Sequence, residues 1–162
     1  MDFSVENYIS EKIDWIDHNK WDCIYRELCM KFQYPQIGRF SRMMLEAGIN
    51  PLDYLNFVPT GFFWSNTPQL CVEFAHIIIP DHVKQLSPRC FANANYIKEL
   101  SLPDGMHASN FIFENTHSIE KLEFRTKYIH EPKYCLTYRS LTGQLPRGMP
   151  DIIFTNPEGI SI

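Results

Sequence analysis

The sequence lacks the features that would place the protein in a membrane, outside the cell or on nucleic acid. No apolar run approaches the ~20 residues that a membrane-spanning helix needs, and the start, Met1–Glu6, is acidic where a secretory leader is basic. No run of like charge forms a tail, and the formal net charge of -4 gives no basic footprint for nucleic acid. These absences predict a cytoplasmic protein that binds neither membranes nor nucleic acid.

Cysteines are few, and they do not form pairs in the sequence. Their number is odd, they are widely scattered, and no Cys-x-x-Cys motif occurs: Cys23, Cys29, Cys71, Cys90 and Cys135. This pattern predicts reduced thiols, several of them buried, as in a cytosolic protein. The chain has 162 residues, of which 44% are hydrophobic and 14% aromatic, so we expect one packed domain or two small ones that share an interface.

Motifs for catalysis are also missing. The sequence has no His-Glu-x-x-His and no Gly-x-Ser-x-Gly, and the stretch Gly143–Gly148 has too few glycines for a phosphate loop. Cys90 lies beside Phe91, and we predict that it packs inward instead of acting as a nucleophile. No catalytic residue, metal ligand or cofactor is therefore predicted. One alternative is a metal-dependent or hydrolytic site built from His82, His107 and a nearby acid.

The first 58 residues show helical patterns. Apolar residues recur at helical spacing in Phe3, Tyr8, Ile9 and Ile13, and more clearly in Trp21, Ile24, Tyr25, Leu28 and Phe32. A further helix is predicted over roughly residues 36–47, with Gly48 as its left-handed cap. Asn50 and Pro51 then predict the start of a short helix that runs to about Phe57.

The segment after residue 58 contains two similar stretches, Ile79–Leu100 and Leu102–Leu122. Six positions match at a spacing of 22–23 residues: Pro80 with Pro103, Asp81 with Asp104, Phe91 with Phe113, Asn93 with Asn115, Ile97 with Ile119, and Leu100 with Leu122. A period of this size is typical of a solenoid, in which each repeat buries its apolar side chains against its neighbour.

Each repeat is predicted to contribute one short strand to a parallel sheet. The predicted strands are residues 74–79, 100–102 and 122–124, and a weaker earlier copy includes Phe62, Phe63, Leu70 and Val72. Residues 134–162 should cap the far end, with strands at Cys135–Tyr138 and Asp151–Thr155. We therefore predict an α+β fold, in which a helical N-terminal cap (residues 1–58) precedes a short repeat solenoid with a small parallel sheet (residues 59–162).

The repeats resemble the bacterial BspA-like leucine-rich repeats. The resemblance rests on Ile79–Val83, on Cys90–Asn93 and on Ile97–Leu102, and it extends over roughly residues 45–140. The second copy departs from the family pattern, because Gly105–Ser109 is one residue short and lacks the Val-x-x-Ile/Leu step. The stretch Leu45–Leu55 also resembles the lead-in of small repeat proteins carried by bacteriophages. The resemblance implies protein or ligand binding without shared catalytic residues, and a phage origin would imply work inside an infected bacterium.

The open face of the predicted sheet is the candidate binding surface. Side chains between the buried ones point to this face, because direction alternates along a strand. They are His76, Ile78, Glu99, Ser101, Lys121, Glu123 and, as a continuation of the row, Thr137. The expected partner is another protein, such as a host bacterial factor.

A second candidate surface is the helical part. Phe40, Met43, Met44 and Tyr54 either form the seam between the helices and the first repeat or line a groove for a partner, which could be a second copy of the chain. Basic residues also occur in this part, but acidic residues interrupt them, so we do not expect a nucleic-acid surface.

The sequence therefore favours a non-enzymatic protein-interaction module, in particular a phage-encoded inhibitor of a host protein that acts by steric occlusion. Two other classes stay open at this point: a small enzyme that uses the loop histidines, and a structural or virion component.

Overall fold

The computed structural model describes residues 20–65, 74–146, 148 and 151–157. Within these residues the chain forms three α-helices and two small parallel sheets, which confirms the α+β class. None of the helices in this part of the chain is long and apolar enough to cross a membrane. The helical pattern at Phe3–Ile13 and the predicted positions of Leu70 and Val72 lie outside the described residues.

The two long helices are α1 (Trp21–Lys31) and α2 (Tyr34–Glu46). The amphipathic stripe of α1 is confirmed, because Trp21, Ile24, Tyr25 and Leu28 are its buried residues. Gly48 has φ +82°, so it provides the predicted left-handed turn after α2.

The short helix after Asn50 begins as predicted and ends early. The Asn50 side chain accepts a hydrogen bond of 3.0 Å from the backbone N–H of Leu52, and a single 3-10 turn spans Pro51–Asp53. The predicted extension to Phe57 is wrong, since Phe57–Val58 forms strand β1. Pairing with a strand 28 residues later decides this conformation, and local helix signals carry no information about it.

The larger sheet contains four parallel strands in the order β2-β4-β6-β7. Their bounds are His76–Ile78 (β2), Glu99–Pro103 (β4), Lys121–Arg125 (β6) and Asp151–Thr155 (β7). All four strands were predicted. In the register His76 lies opposite Glu99, Glu99 opposite Lys121, and Lys121 opposite Asp151. We call this four-stranded sheet the main sheet.

A second sheet, which the sequence did not reveal, contains β1, β3 (Gln85–Leu86) and β5 (His107–Ala108). Val58 pairs with Leu86, and Leu86 pairs with Ala108, so this sheet repeats at nearly the same period as the main sheet. The residue missing from the second copy is absorbed here, because Met106 is fully buried, as Val83 is in the first copy.

Three turns stack at the side of the chain between the two sheets in sequence: residues 61–65, 89–93 and 111–115. The Phe63 and Phe91 rings are stacked with centroids 4.9 Å apart, and the Phe91 and Phe113 rings with centroids 5.6 Å apart. These aromatic positions confirm both the predicted core role of Phe91 and Phe113 and the weaker earlier copy at Phe63. One continuous core of buried residues joins the helices to the repeats.

The predicted strand at Cys135–Tyr138 is wrong, because Leu136–Leu141 forms helix α3. The N–H of Leu136, in the first turn of this helix, donates a 2.8 Å hydrogen bond to the carboxylate of Asp104, which lies just beyond β4. Since this acceptor is 32 residues away in the chain, the sequence around Cys135 does not reveal it.

Candidate functional site

The register of the main sheet aligns six of the seven predicted binding residues in two rows. The first row runs His76, Glu99, Lys121 and then Asp151, and the second runs Ile78, Ser101, Glu123 and then Ile153. Because residues opposite each other on paired strands point to the same side of a sheet, both rows lie on one face. We call this surface the sheet face.

Charges alternate along the first row. A histidine, an acid, a base and an acid follow one another on consecutive strands, and the His76 Nδ1 lies 3.6 Å from a Glu99 carboxylate oxygen. Both side chains of this pair are exposed, so the pair contributes little to stability. Its significance lies in the pattern of charge that the row presents to solvent.

The second row is built around an exposed apolar residue. Ile78 is 59% exposed, whereas Ser101 beside it is buried. The Ser101 hydroxyl donates to the Glu123 carboxylate and accepts from the Arg125 guanidinium at 2.6 Å. Ile78 is therefore the apolar contact that this row offers, and Ser101 serves to hold the neighbouring charges.

Arg125 was not among the predicted residues, although it organises the end of the sheet face. Its guanidinium donates to Ser101, to the backbone carbonyl of Ile79 and to the Asp81 carboxylate, which lies 3.0 Å away. The Arg125 side chain is only 14% exposed. Strand alternation from Glu123 would have indicated this residue.

A groove of about 450 Å³ adjoins Arg125 at the carboxyl end of the main sheet. Arg125, Thr126 and Lys127 line it from one side, and Asp81 and Asp104 contribute acidic groups. The Asp104 carboxylate is occupied, because it accepts hydrogen bonds from the N–H groups of Gly105 and Leu136 and from the Thr126 hydroxyl. This acid therefore fixes α3 against the sheet.

Thr137 does not continue the row on the sheet face. It lies on α3 with no exposed surface, where its hydroxyl donates to the Pro103 carbonyl at 2.6 Å and accepts from the Met106 N–H at 2.9 Å. The prediction placed it on the sheet because Cys135–Tyr138 was interpreted as a strand. The hydroxyl instead joins α3 to the second repeat.

Replacing Thr137 with valine should lower the free energy of unfolding by about 2 kcal/mol, because two buried backbone groups lose their partner. Thr137→Ser keeps the hydroxyl and should cost about 1 kcal/mol, for the lost methyl group. Urea denaturation of the three proteins measures the difference. A valine variant as stable as the serine variant would contradict this role.

The histidines of the alternative enzymatic hypothesis do not come together in a site. The ring Nε2 of His82 lies 2.7 Å from the backbone carbonyl of Leu52, so His82 is locally bonded, and His107 is exposed on β5. Across the described part of the chain, no group of three His, Cys, Asp or Glu side chains could hold a metal ion.

The cysteines show no sign of activation. Cys90 is fully buried, as predicted, and burial raises the pKa of its thiol well above the ordinary value. Burial also raises the pKa of the Cys135 thiol to about 11. Because the thiolate is the reactive form, both groups are protonated at neutral pH and serve as packing residues. Cys23 and Cys29 lie exposed on α1.

The helical part buries most of the residues that could have formed a partner groove. Phe40 and Met44 are almost fully buried in the core, Met43 packs against it, and Tyr54 is 46% exposed. This distribution favours the seam between helices and repeats over an open groove.

Comparison with known families supports the resemblance seen in the repeats. The family model described as the BspA type leucine rich repeat region (6 copies) matches residues 65–146, about half of the chain. Comparison with curated proteins and with solved structures gave no match. The chain therefore belongs to the BspA type leucine-rich-repeat family.

Proposed function

We propose that this protein is a noncovalent protein-binding module that uses the sheet face. The carrying observation is the alignment of exposed Ile78 with charged side chains on four consecutive parallel strands. Leucine-rich-repeat proteins commonly bind other proteins through extended surfaces of this kind. In this proposal the repeats form a short solenoid, with residues 1–58 as the cap at its beginning and residues 59–162 as its body.

The sheet face is suited to binding because its groups are already held in place. Arg125 ties β6 to the backbone after β2, and its contact with Ser101 also fixes Glu123. A partner would therefore meet a surface whose side chains need little further ordering, which lowers the entropic cost of association. Ile78 would supply the apolar anchor, and the alternating charges would select the partner.

We further propose that the protein is phage-encoded, works in the cytoplasm of an infected bacterium and inhibits a host protein by steric occlusion. The support is the similarity of Leu45–Leu55 to the lead-in of small phage repeat proteins, together with the absence of a recognisable catalytic motif in the sequence. Occlusion needs only a rigid surface, which matches the features of the sheet face.

The test compares the full chain with two charge-matched double variants in a tagged pull-down from bacterial lysate, read by mass spectrometry. Ile78→Asp with Lys121→Glu alters the sheet face, whereas Met30→Asp with Lys20→Glu makes the same net charge change on exposed residues of the helical part. The affinity for a captured stoichiometric partner should fall at least ~10-fold in the sheet-face variant and stay within about twofold in the helix variant.

The opposite pattern would move the interface to the helical part, where a second copy of the chain is the competing partner. Sedimentation of the purified protein then distinguishes a homodimer from a heteromeric complex. If neither variant alters capture, the sheet face is not the binding surface. Stoichiometric zinc in the purified protein would instead support the enzymatic alternative, and recovery from purified particles would support a virion component.

A further inference from the structure

The three stacked turns are joined by a ladder of backbone hydrogen bonds. The N–H groups of Phe63 and Ser65 donate to carbonyls of the second turn, Cys90 and Asn93, each at 3.2 Å. In the same way, the N–H groups of Phe91 and Asn93 donate to Ile112 and Glu114 of the third turn, at 3.1 and 2.8 Å. Each turn therefore offers two donors, two residues apart, to the turn that follows it.

The third turn offers the same two donors without an acceptor. By the repeat, these are the N–H groups of Phe113 and Asn115, and neither of them makes a hydrogen bond within the part of the chain that the structure describes. The backbone at Asn115 has φ +58°, close to the +52° of Asn93, so the turn keeps the geometry of its predecessor. The ladder is complete up to this point and then stops.

A groove of about 550 Å³ lies where a fourth turn would be. Residues 110–117 form one wall and residues 143–145 the other. At one end, the side-chain amide of Gln144 accepts from the Ile112 N–H at 3.3 Å and donates to the Ser109 carbonyl at 2.8 Å. Gln144 thus acts as a substitute for backbone there, whereas Phe113 and Asn115 face the open part of the groove.

The rim of the groove carries an exposed aromatic residue. Phe111 is 56% exposed and has φ +60°, at a position that the earlier turns fill with Gly61 and Arg89. The Arg89 guanidinium lies 4.7 Å from the centre of the Phe111 ring and holds it at the edge. A large side chain in the left-handed region is unusual for a residue that only closes a turn.

The geometry excludes a second copy of the chain as the occupant. A head-to-tail copy would have to present its first turn, yet α2 covers that turn, since a Cβ on Gly38 would lie 1.9 Å from the Trp64 carbonyl oxygen. A copy related by a two-fold axis would place N–H donors against N–H donors. The occupant must therefore come from a different protein and must supply acceptors.

We propose that this groove, the terminal groove, binds a backbone segment of a partner protein as a fourth turn. The segment donates two carbonyl oxygens, two residues apart, to Phe113 and Asn115, and it places an apolar side chain against Phe111. This site lies outside the sheet face, so the proposal stands or falls independently of the function proposed above.

The first experiment measures amide hydrogen exchange of the full chain by ¹⁵N NMR. The Phe113 and Asn115 amides should exchange at least ~10-fold faster than their counterparts Phe91 and Asn93, because only the latter are hydrogen-bonded. Equal protection of all four amides would overturn the proposal, since the two donors would then already have acceptors.

The second experiment supplies the missing turn as a synthetic peptide with the sequence of residues 109–117, Ser-Asn-Phe-Ile-Phe-Glu-Asn-Thr-His. This sequence already docks on the turn before it within the chain. At millimolar peptide, the amide signals of Phe113 and Asn115 should shift and their exchange should slow at least ~10-fold. A scrambled peptide of the same composition should have no effect.

A pair of histidine variants locates the binding. His117 lines the terminal groove and is exposed, whereas His107 is equally exposed on β5 outside it. His117→Trp should weaken peptide binding at least ~10-fold, and His107→Trp should change it less than about twofold. Absence of any shift with the wild-type chain, or undiminished binding by His117→Trp, would overturn the proposal. Shifts caused by inorganic phosphate and not by the peptide would assign the groove to a small anion and would equally overturn it.

Discussion

Replacing Phe91 with alanine is expected to lower the free energy of unfolding by about 4 kcal/mol. The side chain is fully buried and lies between the rings of Phe63 and Phe113. Its removal leaves a cavity in the centre of the aromatic stack, and neither neighbour can move in without breaking the backbone ladder of the turns. Urea denaturation followed by circular dichroism measures the loss.

The matched control is Phe111→Ala, the same chemical change in the next turn at an exposed position. That variant should lose no more than about 1 kcal/mol, since it creates no cavity and removes only a surface contact with Arg89. If Phe91→Ala costs no more than Phe111→Ala, the aromatic stack is not the centre of the core.

Replacing Gly38 with alanine should be strongly destabilising, although alanine favours helices. Intrinsic propensity alone would stabilise a helix by about 1 kcal/mol on this change. The new Cβ would lie 1.9 Å from the carbonyl oxygen and 2.7 Å from the carbonyl carbon of Trp64, so α2 would have to move away from the first turn. We expect a net loss of about 3 kcal/mol in the free energy of unfolding.

Gln36→Ala on the same helix serves as the control, because Gln36 is exposed. It should change the free energy of unfolding by less than about 0.5 kcal/mol. A Gly38→Ala variant that is as stable as the wild type, or more stable, would show that helix propensity dominates and that α2 does not press on the first turn. That result would also reopen the head-to-tail assembly that the covered turn excludes.

The two proposed binding surfaces differ in the chemistry that they offer. The sheet face presents side chains, with Ile78 among alternating charges, and so it can discriminate between partners by sequence. The terminal groove presents backbone donors at Phe113 and Asn115, and recognises a conformation more than a sequence. One partner that contacts both surfaces would have to wrap around the last repeat, whereas two separate partners would bind independently.

Much of the sheet face could be predicted from the sequence because the repeat and the strand alternation are local signals. Once Glu99 and Lys121 are recognised as equivalent, their position on adjacent strands follows from the period. Arg125 was missed since its role depends on contacts with Ile79 and Asp81, which lie more than forty residues earlier in the chain.

The sequence by itself determined the amphipathic α1, the cap at Gly48, the four strands of the main sheet and the aromatic positions of the turns. Each of these depends on spacing within a short segment or on a repeated pattern. Only the tertiary structure decided that Phe57–Val58 is a strand, that Leu136–Leu141 is a helix with a buried Thr137, and that the turn ladder ends at an open groove. The reason is physical: a two-residue strand exists only through its partner, α3 is held by the distant Asp104, and an unpaired donor is defined by the neighbour that does not follow it.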